Sequence, residues 1–259
     1  MNGRITHIGT AAMLLEIGPI RLLTDPVFDP PGGKYYFGYG TSSKKLTPPA
    51  VRLEDIGEID AVLLSHDHHE DNLDRAGRAF LPNARQVLTT TAGAKRLGGH
   101  ATGLKSWQSR TIKSGNFELK VTAVPARHGS LGSHLIVGET TGFVLEWPGQ
   151  KHGALYISGD SVWFNGIPEI AKHFQIGTAI LHIGKASFPI TGPIWFTFSA
   201  KEAVRVIKAL NPHTVIPIHY EGWKHFIEPR AQAEKEFLAA GIQDKVQWLP
   251  MGEPLDVEI

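Results

Sequence analysis

Short apolar runs separated by glycine, proline and polar residues recur along the chain and predict β-strands. Residues 4–7, 12–17 and 20–24 read as antiparallel strands at the start, with Gly18-Pro19 as the turn between the last two. Further strands are predicted at residues 61–64, 87–90, 111–114, 117–125, 135–137, 142–147, 154–157, 178–183, 215–218 and 246–249.

Helical periodicity and capping residues predict helices between these strands. The helices are expected at residues 72–80, 91–97, 168–174, 199–210 and 228–240. Pro168 is placed at the first helical position, and Ser199 with Glu202 forms a capping box. This order fits two sheets with helices outside better than one parallel sheet. We expect an α+β fold, a four-layer αββα sandwich of two mixed sheets, built as a single domain over residues 1–259.

Residues 28–49 are rich in glycine, proline, tyrosine and lysine and have no clear period. A loop of this length within a compact domain is usually functional, so a lid or a substrate wall is one interpretation. The aromatic group at 35–39 favours the wall. An Ω-loop that packs on its own aromatic side chains is the alternative.

The amino-acid composition narrows the kinds of functional site that the chain can contain. The chain has no cysteine, which excludes disulfides, thiolate zinc sites and cysteine nucleophiles, and it has 13 histidines. The net charge of +1 and the lack of a basic stripe argue against a nucleic acid partner, and therefore against a nuclease. No apolar run reaches membrane-spanning length, so we expect a cytoplasmic protein without stable membrane insertion.

The apolar run at 61–64 ends in a dense group of imidazoles and carboxylates. The group comprises His66, Asp67, His68, His69, Glu70, Asp71 and Asp74. Such side chains are the ligands of divalent transition metals where no thiolate is present, and they are costly to bury unless paired. A metal site is therefore favoured over the alternative of a solvated polar turn.

Four later apolar strands each end at one further residue of the same kind. These residues are His128, Asp160, His182 and His219. A single histidine at a strand end is more typical of a hydrogen-bonded polar residue, and Gly-Asp is more typical of a turn. Five such strand ends in a cysteine-free chain instead indicate a metal centre, because strand ends along one edge of a sandwich lie close together.

The order of a histidine-rich turn, His128, Gly159-Asp160 and His219 resembles that of the metallo-β-lactamase fold hydrolases. Leu23-Thr24-Asp25-Pro26 and Pro217-Ile218-His219-Tyr220 are similar to one branch of that superfamily. The branch includes the ascorbate-phosphate lactonases and the N-acyl phosphatidylethanolamine-type phosphodiesterases. The resemblance extends over roughly residues 6–249 and is specific for the superfamily rather than for a substrate.

The family's first motif is His-x-His-x-Asp-His, and this sequence departs from it by one residue in the turn. Aligned from the left, residues 65–68 fit the start of the motif, but Glu70 and Asp71 stand where aspartate and histidine are expected. Aligned from the right, His69 and Asp71 fit, and Asn72 replaces the last histidine. In both alignments the final histidine is missing.

The resemblance implies a centre of two divalent ions, with zinc expected first and manganese as the alternative. The first ion would be held by His66, by His68 or His69, and by His128. The second would be held by Asp71, a bridging Asp160 and His219. The missing histidine weakens this second site. The side-chain carbonyl of Asn72 is a poorer ligand for zinc and a better one for manganese.

The implied activity is attack by metal-activated hydroxide on an ester, lactone or phosphodiester of a small molecule. Asp71, Asp160 and His182 are the predicted catalytic residues. For His182, ligation, support of a ligand and oxyanion stabilisation all stay open. Asp67 or Glu70 is a candidate proton shuttle.

Residues around the predicted centre have expected supporting roles. His7 and Asp25 are expected beside the ligands. Arg127, Lys185 and Lys224 are candidates to hold an anionic group of the substrate. The altered first motif supports one alternative function, a metal-binding protein of the same fold with weak or lost catalysis that acts as a sensor or scaffold.

Overall fold

The computed structural model describes residues 2–130, 132 and 137–259, which form two large β-sheets and a separate hairpin. In spatial order, the first sheet consists of β15 (Pro254–Glu258), β1 (Asn2–Gly9), β2 (Ala12–Ile17), β3 (Ile20–Thr24), β6 (Ala61–Leu63), β7 (Val87–Thr90) and β8 (Ala101–Leu104). The second consists of β14 (Thr214–Ile218), β13 (Ile176–His182), β12 (Ala154–Ile157), β11 (Thr141–Glu146), β10 (Phe117–Pro125) and β9 (Ser109–Ser114). The hairpin pairs β4 (Lys34–Gly38) with β5 (Thr41–Lys44).

Three apolar clusters define the layers. The largest lies between the sheets and joins residues of the first, such as Leu15 and Leu63, to residues of the second, such as Val121 and Ile180. A second cluster packs the outer face of the second sheet against helices. A third covers the outer face of the first sheet. The predicted αββα sandwich of two mixed sheets is therefore confirmed.

The helices occupy the two outer layers. Their bounds are Arg75–Phe80, Thr91–Leu97, Gly166–His173, Ala200–Leu210 and Arg230–Ala239. Ser199 and Glu202 form the predicted capping box at the start of the fourth of these helices. The first helix begins three residues later than predicted because the Asp74 side chain caps it by accepting from Gly77 N. Within the described parts of the chain, no helix is long and apolar enough to cross a membrane.

Strand direction places the predicted ligands at one edge. β12, β13 and β14 are mutually parallel, and β10 points the same way because two antiparallel steps separate it from β12. In the first sheet, β3 and β6 are parallel as well. Residues that follow the carboxyl ends of these strands can therefore meet at the same end of the sandwich.

Several predicted strands and one predicted helix start differ from the structure. Residues 246–249 do not form a strand, since only Val246 makes an isolated bridge, to Val215. The true edge strand, β15, pairs with β1 through a run of five residues that was not recognised, and its Val257 packs in the core between the sheets. β8 was also missed, and Pro168 is the third residue of its helix rather than the first. The predicted strand at 135–137 falls largely outside the described residues.

The segment at residues 28–49 combines both interpretations. It forms the β4–β5 hairpin, whose Tyr35 is buried against Trp223 with ring centroids 5.0 Å apart. Lys45 is also buried and pairs with Asp74 at 3.2 Å, which anchors the end of the hairpin. Phe37 also contacts Trp223, with ring centroids 5.7 Å apart, and lines a cavity. The segment is thus partly packed on aromatic side chains and partly a wall.

Candidate metal centre

Three buried imidazoles meet at the ends of β6 and β10. His66 Nε2 lies 3.1 Å from His69 Nδ1, and His128 Nε2 lies 2.9 Å from the same atom. Each residue offers one ligand atom, and these atoms all lie within 4.8 Å of one another. We call this group the imidazole cluster. Its three nitrogens converge as the ligands of one transition metal ion do.

Burial keeps these imidazoles uncharged. It lowers the pKa of His128 to about 3 and the pKa values of His66 and His69 well below the usual range, and repulsion between the rings adds to the effect. Neutral imidazole is the form that binds a metal ion. The other nitrogen of His128, Nδ1, lies 3.0 Å from Phe196 O, which fixes the ring orientation.

A second buried group lies at the ends of the parallel strands β12, β13 and β14. His182 Nδ1 is 2.9 Å and His219 Nε2 is 3.4 Å from Asp160 Oδ1. The two imidazole rings stack with centroids 5.3 Å apart. We call Asp160, His182 and His219, together with the neighbouring Asp71, the carboxylate cluster.

Asp71 connects this cluster to a histidine from a distant loop. Its Oδ2 lies 3.6 Å from His219 Nε2 and 2.9 Å from His225 Nε2. Burial acts to raise the pKa of Asp71, but the hydrogen bond with His225 and the surrounding imidazoles lower it overall. Burial raises the pKa of Asp160, against the opposing effect of His219. The surroundings therefore lower the pKa of Asp71 and raise the pKa of Asp160.

Among the described residues, several buried ligand atoms of the carboxylate cluster and of the adjacent Asn72 have no hydrogen-bond partner. They are Asp71 Oδ1, Asn72 Oδ1, Asp160 Oδ2, His182 Nε2, His219 Nδ1 and His219 Nε2. Buried polar atoms are normally satisfied, because leaving one unpaired costs about 1–3 kcal/mol. A divalent ion is a partner that such oxygens and nitrogens accept, so these residues fit the metal that the fold implies.

Asn72 occupies the place of the family's missing histidine. Its side chain is fully buried, and Nδ2 donates to Ser65 Oγ at 3.2 Å and to Asp160 Oδ1 at 3.4 Å. The amide group thus supports a carboxylate through its nitrogen, while its carbonyl oxygen is one of the unpartnered atoms.

The two candidates for the second imidazole point in different directions. His69 belongs to the imidazole cluster, whereas His68 Nε2 contacts Val137 O and the side chain is 22% exposed. Asp67 turns away as well and is held by Arg96 through two contacts, at 2.9 and 2.5 Å. The residue inserted into the turn is therefore accommodated by turning Asp67 and His68 away from the centre.

The candidate proton shuttles are not beside the cavity. Burial acts to raise the pKa of Asp67, but its hydrogen bonds with Arg96 lower it overall, so Asp67 stays an ion-paired carboxylate. Glu70 is half-buried, and neither residue belongs to the described lining of the cavity. Their geometry favours a structural role.

The predicted supporting residues lie next to the ligands. Asp25 Oδ1 accepts from Ser65 N at 2.7 Å and from Ser65 Oγ at 2.9 Å, which ties the end of β3 to the turn after β6. His7 is buried, with Nε2 3.1 Å from Thr10 O, and burial lowers its pKa to about 4. Both residues stabilise the backbone under the centre.

Strained backbone is concentrated around the centre. Thr10, Asp25, Lys185 and His219 have φ values of 55°, 34°, 49° and 64°. Residues other than glycine rarely adopt this left-handed region. Gly159, just before Asp160, also has a positive φ, and a Cβ there would lie 2.4 Å from Thr141 O. The local chain path is thus constrained at the ends of the ligand-bearing strands.

Both clusters face a cavity of about 540 Å³. His69 and His128 from the imidazole cluster, Asp71 and Asp160 from the carboxylate cluster, and His225 line its base. The walls come from the β4–β5 hairpin and from the loop after β13, which contributes Phe188 and Phe196. A small molecule in this cavity would reach both clusters at once.

Sequence reasoning missed part of the site. His225 lies in a loop and follows no apolar strand, yet it contacts Asp71 and packs against Phe37 and Phe188. Phe188 and Phe196 were not singled out. Their separation by eight residues in a loop rich in glycine and proline follows no period.

Comparison with known proteins identifies the family. The profile of the beta-lactamase superfamily domain matches residues 20–220. A UPF0173 metal-dependent hydrolase of Pelotomaculum thermopropionicum is 27% identical over 261 residues, covering 98% of this chain and 100% of that protein. A protein of the same description from Pyrococcus abyssi is 26% identical over 260 residues, covering 98% and 99%.

Solved structures show the same fold. An isothiocyanate hydrolase from Delia radicum gut bacteria superposes with a TM-score of 0.82 at 22% identity, covering 99% of this chain and 100% of that chain. Igni18, a metallo hydrolase from Ignicoccus hospitalis, superposes with a TM-score of 0.72 at 21% identity over the full length of both chains. The chain belongs to the family of the beta-lactamase superfamily domain, and it is a hydrolase of the metallo-β-lactamase fold.

Proposed function

We propose that the protein uses two divalent metal ions to hydrolyse an ester, lactone or phosphodiester bond of a small molecule. His66, His69 and His128 would hold the first ion. Asp71, Asp160 and His219 would hold the second, and Asp160 is the candidate to contact both ions. The observation that carries this proposal is that two buried sets of ligand atoms lie at the base of one cavity.

The combination of imidazole and oxygen ligands supports zinc as the expected metal, with manganese as the alternative. Imidazole suits zinc, and the oxygens of Asp71, Asp160 and Asn72 are ligands that manganese also accepts. When bound, such ions lower the pKa of a coordinated water to about 7 and polarise the bond under attack.

The chain's own residues would orient the reaction. His182 Nδ1 is 2.9 Å from Asp160 Oδ1, and His225 Nε2 is 2.9 Å from Asp71 Oδ2, so each catalytic carboxylate is held by one imidazole. Hydrogen bonds of this kind fix the direction of the carboxylate oxygens. The aromatic walls would exclude bulk water from the bound substrate.

The test combines metal analysis with turnover. Protein purified with zinc or manganese supplied is expected to hold about two ions per chain, which elemental analysis measures. Hydrolysis is then assayed with a 4-nitrophenyl ester, a γ-lactone and bis(4-nitrophenyl) phosphate. An isothiocyanate is included as well, because one structural relative is an isothiocyanate hydrolase. Turnover should be lost on chelation and restored by added metal.

The altered first motif supports a second candidate, a metal-binding sensor or scaffold of the same fold. The observation that favours it is Asn72, which stands where the family has a ligand histidine and hydrogen-bonds to Asp160. One ion or none per chain, with no turnover on the whole panel, would select this candidate and reject the hydrolase.

A further inference from the structure

The cavity wall above the two clusters is apolar. Its aromatic members are Phe37, Phe188 and Phe196, and its aliphatic members are Val137, Ala186, Ile190 and Ile194. The aromatic rings form a connected group, since Phe188 lies 5.3 Å from Phe37 and 6.1 Å from Phe196 between ring centroids. Such a wall gains free energy by covering apolar surface of a ligand.

Cationic side chains do not contribute to this wall. Within the described ranges, the cavity lining contains neither lysine nor arginine. The three basic residues predicted to hold an anionic group of the substrate contact other side chains or are exposed, outside the described lining of the cavity. Arg127 stacks on Phe164, Lys185 pairs with Glu228 at 3.3 Å, and the Lys224 side chain is exposed.

The charged side chains at the base of the cavity are carboxylates, whose charge the two ions of the proposed function would offset there but not at the wall. Asp71 and Asp160 line the base, and the remaining polar groups of the described lining that are not candidate ligands are His225 and the hydroxyls of Tyr39, Thr41, Ser130 and Thr191. Hydroxyl groups can orient a substrate but cannot compensate a carboxylate or phosphate. A charged group bound against the apolar wall would lose its hydration without gaining a partner.

We propose that the substrates are carboxylic esters or lactones whose part beyond the scissile bond is an uncharged aryl or alkyl group. This inference rests on the proposed function, which supplies the bond-breaking chemistry. The volume of about 540 Å³ lies within the range of pockets that enclose a small molecule. The rings of Phe37, Phe188 and Phe196 cover the apolar part, and the carbonyl group lies toward the two clusters.

A matched pair of esters tests the selectivity. 4-Nitrophenyl butanoate and the mono-4-nitrophenyl ester of succinic acid share a leaving group and a chain length, but the second ends in a carboxylate. With the metal-loaded protein, and after subtraction of the uncatalysed rates, kcat/KM should favour the butanoate by at least about 10-fold. Equal kcat/KM values for the two esters would overturn the inference.

A charge placed in the wall should reduce the preference. Ile194 lines the cavity and is 36% exposed, so Ile194→Lys can be accommodated and would offer a partner to the succinate carboxylate. The butanoate-to-succinate ratio is expected to fall about 10-fold. Ile227→Lys is the matched control, because Ile227 is 54% exposed and is not part of the described lining. If both variants shift the ratio equally, the wall does not set the selectivity.

A binding measurement separates this inference from the proposed function. N-Butylbenzamide is uncharged, resists hydrolysis and matches the apolar wall. Calorimetric titration should show it binding to the metal-loaded protein, with an affinity about 10-fold lower in Phe188→Ala at unchanged metal content. Binding without turnover of any compound of the panel would reject the hydrolase and leave the apolar binding site in place, whereas no binding to the wild-type protein would reject the apolar substrate class.

Discussion

The imidazole cluster and the carboxylate cluster are both buried, yet burial acts in opposite ways on the imidazoles and on Asp160. In His66, His69 and His128 it favours the neutral form, which is the form that binds metal. In Asp160 it favours the protonated form, which does not. The first cluster is thus prepared for an ion, whereas Asp160 in the second requires the ion's charge to become ionised.

The two clusters also differ in how they are built. The imidazole cluster joins one turn after β6 to one loop after β10, so it bridges the two sheets. The carboxylate cluster is based on three adjacent parallel strands of one sheet, with Asp71 added from the other. We therefore expect substitutions in the carboxylate cluster to affect activity most.

Asp160→Asn should give the largest effect. It removes the carboxylate that hydrogen-bonds to Asn72 and His182, while keeping a side chain of similar size that can still meet His182. Loss of a bridging ligand should lower kcat/KM by about 10³-fold, equivalent to about 4 kcal/mol of transition-state stabilisation, and reduce the bound metal from two ions toward one. Steady-state kinetics and elemental analysis measure both. Wild-type activity in this variant would exclude Asp160 from the centre.

His69→Ala and His68→Ala form a matched pair of neighbouring substitutions. His69 belongs to the imidazole cluster, so its loss should lower activity about 10²-fold and release the first ion. His68 contacts Val137 O instead, and its replacement should change activity by less than about 3-fold. The reverse ranking in the same kinetic and metal assays would make His68 the ligand.

His182→Ala probes the carboxylate cluster without removing a carboxylate. The residue is fully buried and hydrogen-bonds to Asp160. If it supports that carboxylate, activity should fall about 10- to 100-fold while metal content stays near wild type. A fall in metal content equal to that of Asp160→Asn would instead make His182 a ligand.

The smallest effect expected is a difference in acid stability of the metal-free protein. The pKa of His128 is lowered to about 3 from an unfolded value of about 6.5, so only the unfolded state binds the proton between these pH values. Stability is therefore lost as pH falls below about 6.5. At pH 5 the loss from one such group is about 2 kcal/mol. Urea unfolding at pH 7.5 and pH 5 should show a smaller loss in His128→Gln.

Asp160 should have the opposite pH dependence. Its pKa is raised in the folded state, so its contribution is present below the unfolded value of about 4 and is lost as pH rises toward neutrality. In the absence of metal, Asp160→Asn should therefore gain stability over wild type as pH rises from 4 to 8. A constant difference across this range in urea unfolding would mean that burial does not perturb Asp160.

The architecture was predictable because it depends on local apolar runs. β7, β10 and β12 were recognised with their full bounds, and the capping box at Ser199 marked a helix start. β15 was not recognised because it is a short edge strand with mostly exposed side chains, although Val257 packs in the core and the strand pairs with β1. The segment at 246–249 has the pattern but no neighbouring strand beyond the single bridge at Val246.

The candidate site was predictable where its residues stand at strand ends and unpredictable where they come from loops. His128, Asp160, His182 and His219 were predicted to converge because each stands at or after the end of an apolar strand, and the structure brings them into the two clusters. The choice between His68 and His69 depends on the path of the turn. Arg96, in the helix Thr91–Leu97, influences this path by binding Asp67. His225, Phe188 and Phe196 reach the cavity through long-range loop packing that no sequence period records.

The left-handed backbone at His219 also bears on protein engineering. An L-residue other than glycine costs roughly 1 kcal/mol or more at such a position, and Thr10, Asp25 and Lys185 near the same strand ends carry similar costs. A screen for heat resistance alone would therefore select glycine at these places and lose the imidazole of His219. Thermostable variants of this protein should instead be sought in the outer helices, where a gain in stability does not compete with the geometry of the centre.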